Sequence, residues 1–339
     1  MNKTPTSMPS KSGDTSGTAT GAGSPPSVPP SVPDAPAGNW FDHYAPDWAR
    51  PYGHLARFDR PIGAWLLLFP CWWGQALAEV ATGRAYPNPW FLLLFLIGAF
   101  VMRGAGCTYN DFVDRDLDGR VARTAGRPIP SGRVTPLNAL IFAGVLSLIG
   151  FLVLIQFNGL TIALGILALL PVALYPYAKR YTNYPQVMLG LTFKWGAIVG
   201  WTAITGSLGW PMALLYLGSI LWTVGYDTIY AHQDTEDDAL LGIKSTALTF
   251  GDKTHLCVGG LYAGAWLFWF AAAMLAGAGI LVTTALAAVA GQFAWQIATL
   301  DTAKPANCLQ RFRSNRWVGW IFFIGLVLEM VLVNATRAP

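Results

Sequence analysis

Charge is what this sequence has least of. Only 12% of its 339 residues are Asp, Glu, Lys or Arg, about half the share usual for a soluble domain. A soluble chain of this length could not clothe its surface with so few. Cysteine and histidine are equally sparse, four of each. Cys71, Cys107, Cys257 and Cys308 stand far apart, with no C-x-x-C pair among them. That excludes a disulfide framework and a thiolate zinc site. His43, His54, His232 and His255 are scattered too, and each reads as a solvated side chain rather than a ligand. The first 40 or so residues are dominated by Ser, Thr, Pro and Gly and hold no apolar run. They lack the layout of a secretory signal and are poor in Arg for a mitochondrial transit peptide. The expectation is a disordered cytoplasmic tail over 1–45, followed by a membrane domain over 46–339.

Apolar residues, by contrast, make up 53% of the chain, and there are 15 Trp. Apolar windows long enough to cross about 30 Å of hydrocarbon recur near 61–82, 89–109, 136–156, 159–177, 185–206, 210–230, 256–277, 279–299 and 317–334. The expected fold is an all-α integral membrane protein of about nine transmembrane helices around a central cavity. Trp65, Trp72, Trp73, Trp90 and Trp210 fall in or near span ends and read as interfacial anchors. Gly190, Gly196 and Gly200 read as points of close helix packing. Of 22 Lys and Arg, 18 fall before the first span or in the 2–3, 4–5, 6–7 and 8–9 loops. By the positive-inside rule that face is cytoplasmic. Arg103 and Lys194 lie inside spans, and the sequence does not identify a partner for Lys194.

Nine of the 18 acidic residues occur in two short segments, directly after spans 2 and 6 and on the same face. The first holds Asn110, Asp111, Asp114, Asp116 and Asp118; the second runs from Asp227 through Tyr230 and Asp234 to Glu236, Asp237 and Asp238. At about 100° per residue, Asp111, Asp114 and Asp118 share one helical stripe, as do Asp227, Asp234 and Asp238. Asp116 and Glu236 point elsewhere. Carboxylates so concentrated at low dielectric persist only with cations on them. Oxygen donors without His or Cys favour Mg²⁺. Arg120, Arg123 and Arg127 follow the first segment, Lys179 and Arg180 end span 4, and Lys244 follows the second segment. Carboxylates, metal and these cations together suit a diphosphate.

The residues Asn110-Asp111-x-x-Asp114-x-x-x-Asp118, followed by Arg127-Pro128-x-Pro130-Ser131-Gly132, resemble the first signature of UbiA-type membrane prenyltransferases. The second signature is similar to Asp227-x-x-Tyr230-Ala231-x-x-Asp234-x-x-x-Asp238 and Gly242-Ile243-Lys244-Ser245-Thr246. Arg57-x-x-Arg60-Pro61-Ile62-Gly63, Tyr175-Pro176-x-x-Lys179-Arg180 and Pro185-Gln186 look like the 4-hydroxybenzoate polyprenyltransferase branch. The resemblance implies a UbiA-like fold in a bacterial inner membrane, with the site facing the cytoplasm. It implies Mg²⁺ as cofactor, and polyprenyl diphosphate and 4-hydroxybenzoate as substrates for ubiquinone biosynthesis. Membrane lipid is the surroundings, and no nucleic acid is involved. Asp111, Asp114, Asp227, Asp234 and Asp238 are then the catalytic candidates. Asn110, Asp111, Asp114, Asp118, Asp234 and Asp238 are the metal candidates. Arg57, Asn110, Asp118, Arg127, Lys179, Arg180, Tyr230 and Lys244 are the substrate-binding candidates, with Arg57 or Arg180 facing the acceptor carboxylate.

Three other readings compete with this one. Asp118-Gly119 and Ala122-Arg123 match the core of a CDP-alcohol phosphotransferase motif, but the flanking positions that should be Asp hold Arg115, Pro136 and Leu140. A relative using dihydroxynaphthoate or homogentisate differs by few contacts. A secondary transporter requires discontinuous helices and acids near mid-bilayer.

Overall fold

Capping residues and prolines set where each helix begins. Asn88 accepts hydrogen bonds from Trp90 N and Phe91 N ahead of Pro89, and Thr135 accepts from Asn138 N ahead of Pro136. Asn158 accepts from Thr161 N in the same way; each side chain satisfies backbone donors that the first turn leaves open. The computed structural model describes residues 39–120 and 124–334, apart from the side chains of Lys179, Glu236, Asp237, Leu241, Val333 and Asn334. Among the described residues there is no strand.

The first span is Ile62–Ala81, the second Pro89–Asp118 and the third Pro136–Leu154. The fourth consists of Gly159–Leu167 and Leu169–Tyr181, and the fifth of Pro185–Phe193 and Gly196–Thr205. Trp210–Ala231, Thr254–Leu275, Ile280–Ala298 and Pro305–Glu329 are the sixth to ninth. Eight of these nine stretches are long and apolar enough to cross a membrane. The first has the length, 20 residues, but carries the polar Gln75 and Glu79. Both are buried inside the bundle, where Glu79 accepts from Asn88 N at 2.8 Å and from Gln75 Nε2 at 3.2 Å.

Several boundaries differ from the sequence reading. The second span is 30 residues long, which at 1.5 Å per residue exceeds a hydrocarbon core of about 30 Å. The first acidic segment therefore stands on that helix rather than after it. The ninth span starts at Pro305, so Arg311, Arg313 and Arg316 belong to a helix and not to the preceding loop. The expected tail includes Trp40–Tyr44, which forms a short helix capped by Asn39. Residues 1–38 lie outside the described residues. His54 is packed rather than solvated, 2.6 Å from Asp42 Oδ1.

Tight packing comes from small residues and buried rings. A Cβ on Gly200 would meet Cys71 O at 2.1 Å, and one on Gly74 would meet Ala197 O at 2.4 Å. Glycine at both positions lets the first and fifth spans touch backbone to backbone. Trp73 is fully buried, with its ring centroid 5.2 Å from that of Trp222 and 4.9 Å from that of Trp269. Trp72 and Trp73 are thus core residues, not anchors; Trp90 and Trp210 are exposed as expected. The fifth span breaks at Lys194, whose Nζ donates to Leu66 O at 2.8 Å. The same ammonium lies 4.5 Å from the Trp222 ring and 5.2 Å from that of Tyr226. Backbone oxygen and two π faces are the partner that the sequence left unidentified.

Candidate active site

The helical stripe expected of the first segment is present. Asp111, Asp114 and Asp118 are buried on one face of the second span, while the Asp116 side chain is 84% exposed. Asn110 Nδ2 donates to Asp114 Oδ2 at 3.1 Å, and Arg180 Nη2 lies 3.5 Å from Asp114 Oδ1. Arg57 Nη2 reaches both oxygens of Asp111, at 2.7 and 2.8 Å. Arg127 Nη1 bridges Asp111 Oδ1 at 3.1 Å and Asp118 Oδ2 at 2.7 Å. Three arginines from three parts of the chain thus converge on one acidic helix face.

The second segment is not one stripe. The sixth span ends at Ala231, and Asp234 begins a separate short helix, Thr235–Leu241, which stops at Gly242 with φ +68°. Counting 100° per residue fails across such a break, because residues 232–234 are not helical. Asp227, Asp234 and Asp238 nevertheless face the same space as Asn110, Asp114 and Asp118, a polar cavity of about 210 Å³. Arg127, Tyr230 and Lys244 line it as well. Lys244 is exposed and its Nζ donates to Tyr181 O at 3.4 Å. The Lys179 side chain and Arg123 lie outside the described residues.

Behind this polar cavity lies an apolar chamber of about 500 Å³. Asn110, Arg127, Tyr175, Asp227 and Tyr230 line both, so the two spaces meet along one wall. The chamber runs from Asp111 along the second span to Leu94 and Phe95. That is 16 residues of helix, roughly 24 Å. Phe157 closes its far end, stacked on Phe95 with centroids 4.9 Å apart. Phe151, Ile166 and Leu169, on the third and fourth spans, also line it while 46%, 48% and 49% exposed. The chamber's wall is therefore most exposed on the third and fourth spans, at membrane depth.

Two chamber residues carried little weight in the sequence. Arg103 lines the chamber with its guanidinium 4.9 Å from the Phe193 ring. A Cβ at Gly63 would sit 2.7 Å from Arg103 Nε, so glycine there leaves the guanidinium its space. No described residue hydrogen-bonds Arg103 Nε. Phe312 packs on Tyr230, centroids 4.7 Å apart, and escaped notice because the ninth span was expected to begin later. Gln186 Oε1 accepts from Thr246 N at 3.0 Å, which ties the Lys244–Thr246 segment to the fifth span.

Among the described residues, no three of His, Cys, Asp or Glu are grouped tightly enough to form a ready-made metal cage. Mg²⁺ commonly takes one or two carboxylates and completes its shell with water and substrate phosphate. The donors around the polar cavity are oxygens only: Asn110, Asp114, Asp118, Asp227, Asp234 and Asp238.

Comparison with known proteins agrees with this architecture. The model of the UbiA prenyltransferase family matches residues 67–327. A mitochondrial 4-hydroxybenzoate polyprenyltransferase of Arabidopsis thaliana is 47% identical over 291 residues, 86% of this chain and 71% of that protein. A 4-hydroxybenzoate geranyltransferase of Lithospermum erythrorhizon is 44% identical over 300 residues, 86% of this chain and 94% of that protein. Among solved structures, an apo UbiA homologue from Aeropyrum pernix superposes with a TM-score of 0.67 at 26% identity, over 78% of this chain and 98% of the other. The fold is also that of an Archaeoglobus fulgidus UbiA homologue bound to GPP and Mg²⁺, with a TM-score of 0.63 at 16% identity over 84% of this chain and all of the other. With the family model reaching from the first span into the ninth and close to half the residues shared with these relatives, the chain belongs to the UbiA prenyltransferase family.

Proposed function

We propose that this protein transfers a polyprenyl group from polyprenyl diphosphate to the 3-position of 4-hydroxybenzoate, the aromatic alkylation of ubiquinone biosynthesis. One observation carries the reading: two acidic segments face a small polar cavity that opens directly into a long apolar chamber. The diphosphate fits the first space and the prenyl tail the second. The names of the curated relatives support the acceptor.

Asn110, Asp114 and Asp118 from the second span, with Asp234 and Asp238 from the second segment, would hold Mg²⁺. When bound, the ion neutralises the diphosphate and so makes it a better leaving group. Arg127 and Lys244 line the same cavity and would hold the diphosphate oxygens; Lys179 is proposed with them from the sequence. Breaking the allylic C–O bond releases diphosphate toward these cations. The electron-deficient carbon then bonds to the ring carbon ortho to the phenol oxygen, and that carbon loses its proton. Asp227 lines both spaces at the junction and is the base we assign to that proton. Tyr230, braced by Phe312, forms the wall against which the acceptor ring lies. The apolar chamber keeps water from the cation.

Arg103 is the cation we assign to the acceptor carboxylate. Arg57 and Arg180, the candidates from sequence, face Asp111 and Asp114 instead. The bacterial inner membrane is proposed from the resemblance alone, and the Lys/Arg asymmetry supports a polar cavity on the cytoplasmic side.

The test uses membranes carrying the full chain, radiolabelled 4-hydroxybenzoate, a polyprenyl diphosphate, and Mg²⁺ with or without chelator. Label should become lipid-soluble only with Mg²⁺ present. No lipid-soluble label would overturn the reading, and a larger yield with dihydroxynaphthoate or homogentisate would reassign the acceptor.

A further inference from the structure

We infer that Asp111 is a positioning residue, a carboxylate that holds two arginines at the mouth of the site rather than a metal ligand. The inference deepens the function proposed above and rests on a diphosphate and a divalent ion meeting at this face.

Four observations point the same way. Asp111 is fully buried, and both its oxygens accept from Arg57 Nη2 while one also accepts from Arg127 Nη1. A carboxylate that already faces two guanidinium groups has its charge answered, whereas a ligand for a divalent ion needs lone pairs directed at open space. Asp111 is also the one acid of the first buried stripe that does not line the polar cavity; it lines the apolar chamber instead. Finally, Arg57 adopts φ +61°, the only non-glycine residue with positive φ among those described. That left-handed backbone is unfavourable for a side-chain-bearing residue and persists only where its surroundings fix it. Here the fixing contacts are Arg57 Nη1 to His54 O at 2.7 Å and Arg57 Nη2 to both oxygens of Asp111.

The arrangement links three distant parts of the chain. Arg57 comes from the segment before the first span, Arg127 from the loop after the second, and Asp111 from the helix between them. Asp111 sets where both guanidinium groups stand, and Arg127 lines the cavity proposed for the diphosphate. Removing the Asp111 charge should loosen this pair and weaken diphosphate binding while leaving the ion's own donors intact.

The experiment measures binding of radiolabelled inorganic pyrophosphate to the purified full chain in detergent. It is titrated once against pyrophosphate at saturating Mn²⁺ and once against Mn²⁺ at fixed pyrophosphate. For Asp111→Asn we expect pyrophosphate affinity to fall about tenfold, the scale of a lost charge-assisted contact, with the Mn²⁺ requirement within about threefold of wild type. Asp114→Asn should shift the Mn²⁺ requirement by about tenfold or more. Arg57→Gln, which keeps the Asp111 carboxylate, should reproduce the Asp111→Asn pattern, and the double variant should be no worse than either single one, as residues acting through one contact are not additive. Arg57→Lys should recover only part of the affinity, lacking the planar fork. Should Asp111→Asn not fold, as judged by its elution and melting, the Arg57 variants decide the matter alone. An Mn²⁺ shift in Asp111→Asn or Arg57→Gln equal to that of Asp114→Asn, or unchanged pyrophosphate affinity in them, would overturn the inference. Failure of the wild-type chain to bind pyrophosphate with Mn²⁺ would instead overturn the proposed function.

Discussion

At the scale of single residues, function here is a matter of which charge answers which. Asp114 faces the polar cavity with Asn110 on one oxygen and Arg180 near the other. Asp114→Asn should lower prenyl transfer by about 10²–10³-fold, the usual cost of removing one preorganised electrostatic contact, and the Mg²⁺ concentration for half-maximal rate should rise. Full activity at unchanged Mg²⁺ would contradict the metal role. Arg103→Gln should raise KM for 4-hydroxybenzoate by about tenfold or more and leave KM for the prenyl diphosphate close to wild type. The sequence disclosed the acids because their spacing is a local property of one helix. It could not assign the arginines: Arg57 and Arg103 both line the chamber, and the room each guanidinium has there depends on how the first two spans pack. Gly63 settles that by leaving the Arg103 guanidinium its space, and a glycine in sequence does not declare what lies beside it.

At the scale of elements, breaks and close contacts matter more than helix length. The second acidic segment spans the end of one helix and the start of another, so its register was invisible to a count that assumed continuity. His232 caps the sixth span at this break and hydrogen-bonds Thr254 Oγ1 at 2.9 Å. Burial first, and then the nearby His255, holds the His232 imidazole below its ordinary range. The unfolded chain therefore takes up a proton near pH 6.5 before the folded one does. Its contribution to stability is complete above that pH and is lost as pH falls from there toward the folded value. Melting of the detergent-purified protein should drop on acidification from about pH 7.5 to about pH 5.5, and His232→Gln should flatten the change. Elsewhere the elements are held by contact distance. Gly200→Val should cost about 1–3 kcal/mol, seen as a lower melting temperature, because its side chain would meet the Cys71 carbonyl. Glu79→Leu would leave Asn88 N without its acceptor and Gln75 Nε2 with Asn88 O alone, at about 1–3 kcal/mol, and Glu79→Gln should retain most of the stability.

At the scale of the whole molecule, much could be foreseen from composition. A chain so poor in charge has to use lipid as solvent, and helices are the way a single chain satisfies its backbone there without closing a barrel. The number of spans and the clustering of the acids at one face followed from that. A central cavity was expected, but its lining was not legible, because the chamber is a space between the first six spans and the ninth, and no run of residues encodes a space. Its wall at Phe151, Ile166 and Leu169, exposed at membrane depth, has a kinetic consequence. One substrate arrives from the bilayer and the other from water, so the two obey different concentration scales. The prenyl donor should saturate the enzyme according to its mole fraction among the lipids, and the aromatic acid according to its molarity. Diluting reconstituted vesicles with inert phospholipid, at fixed total donor, should therefore slow turnover, while diluting the suspension with buffer that contains the same acceptor should not.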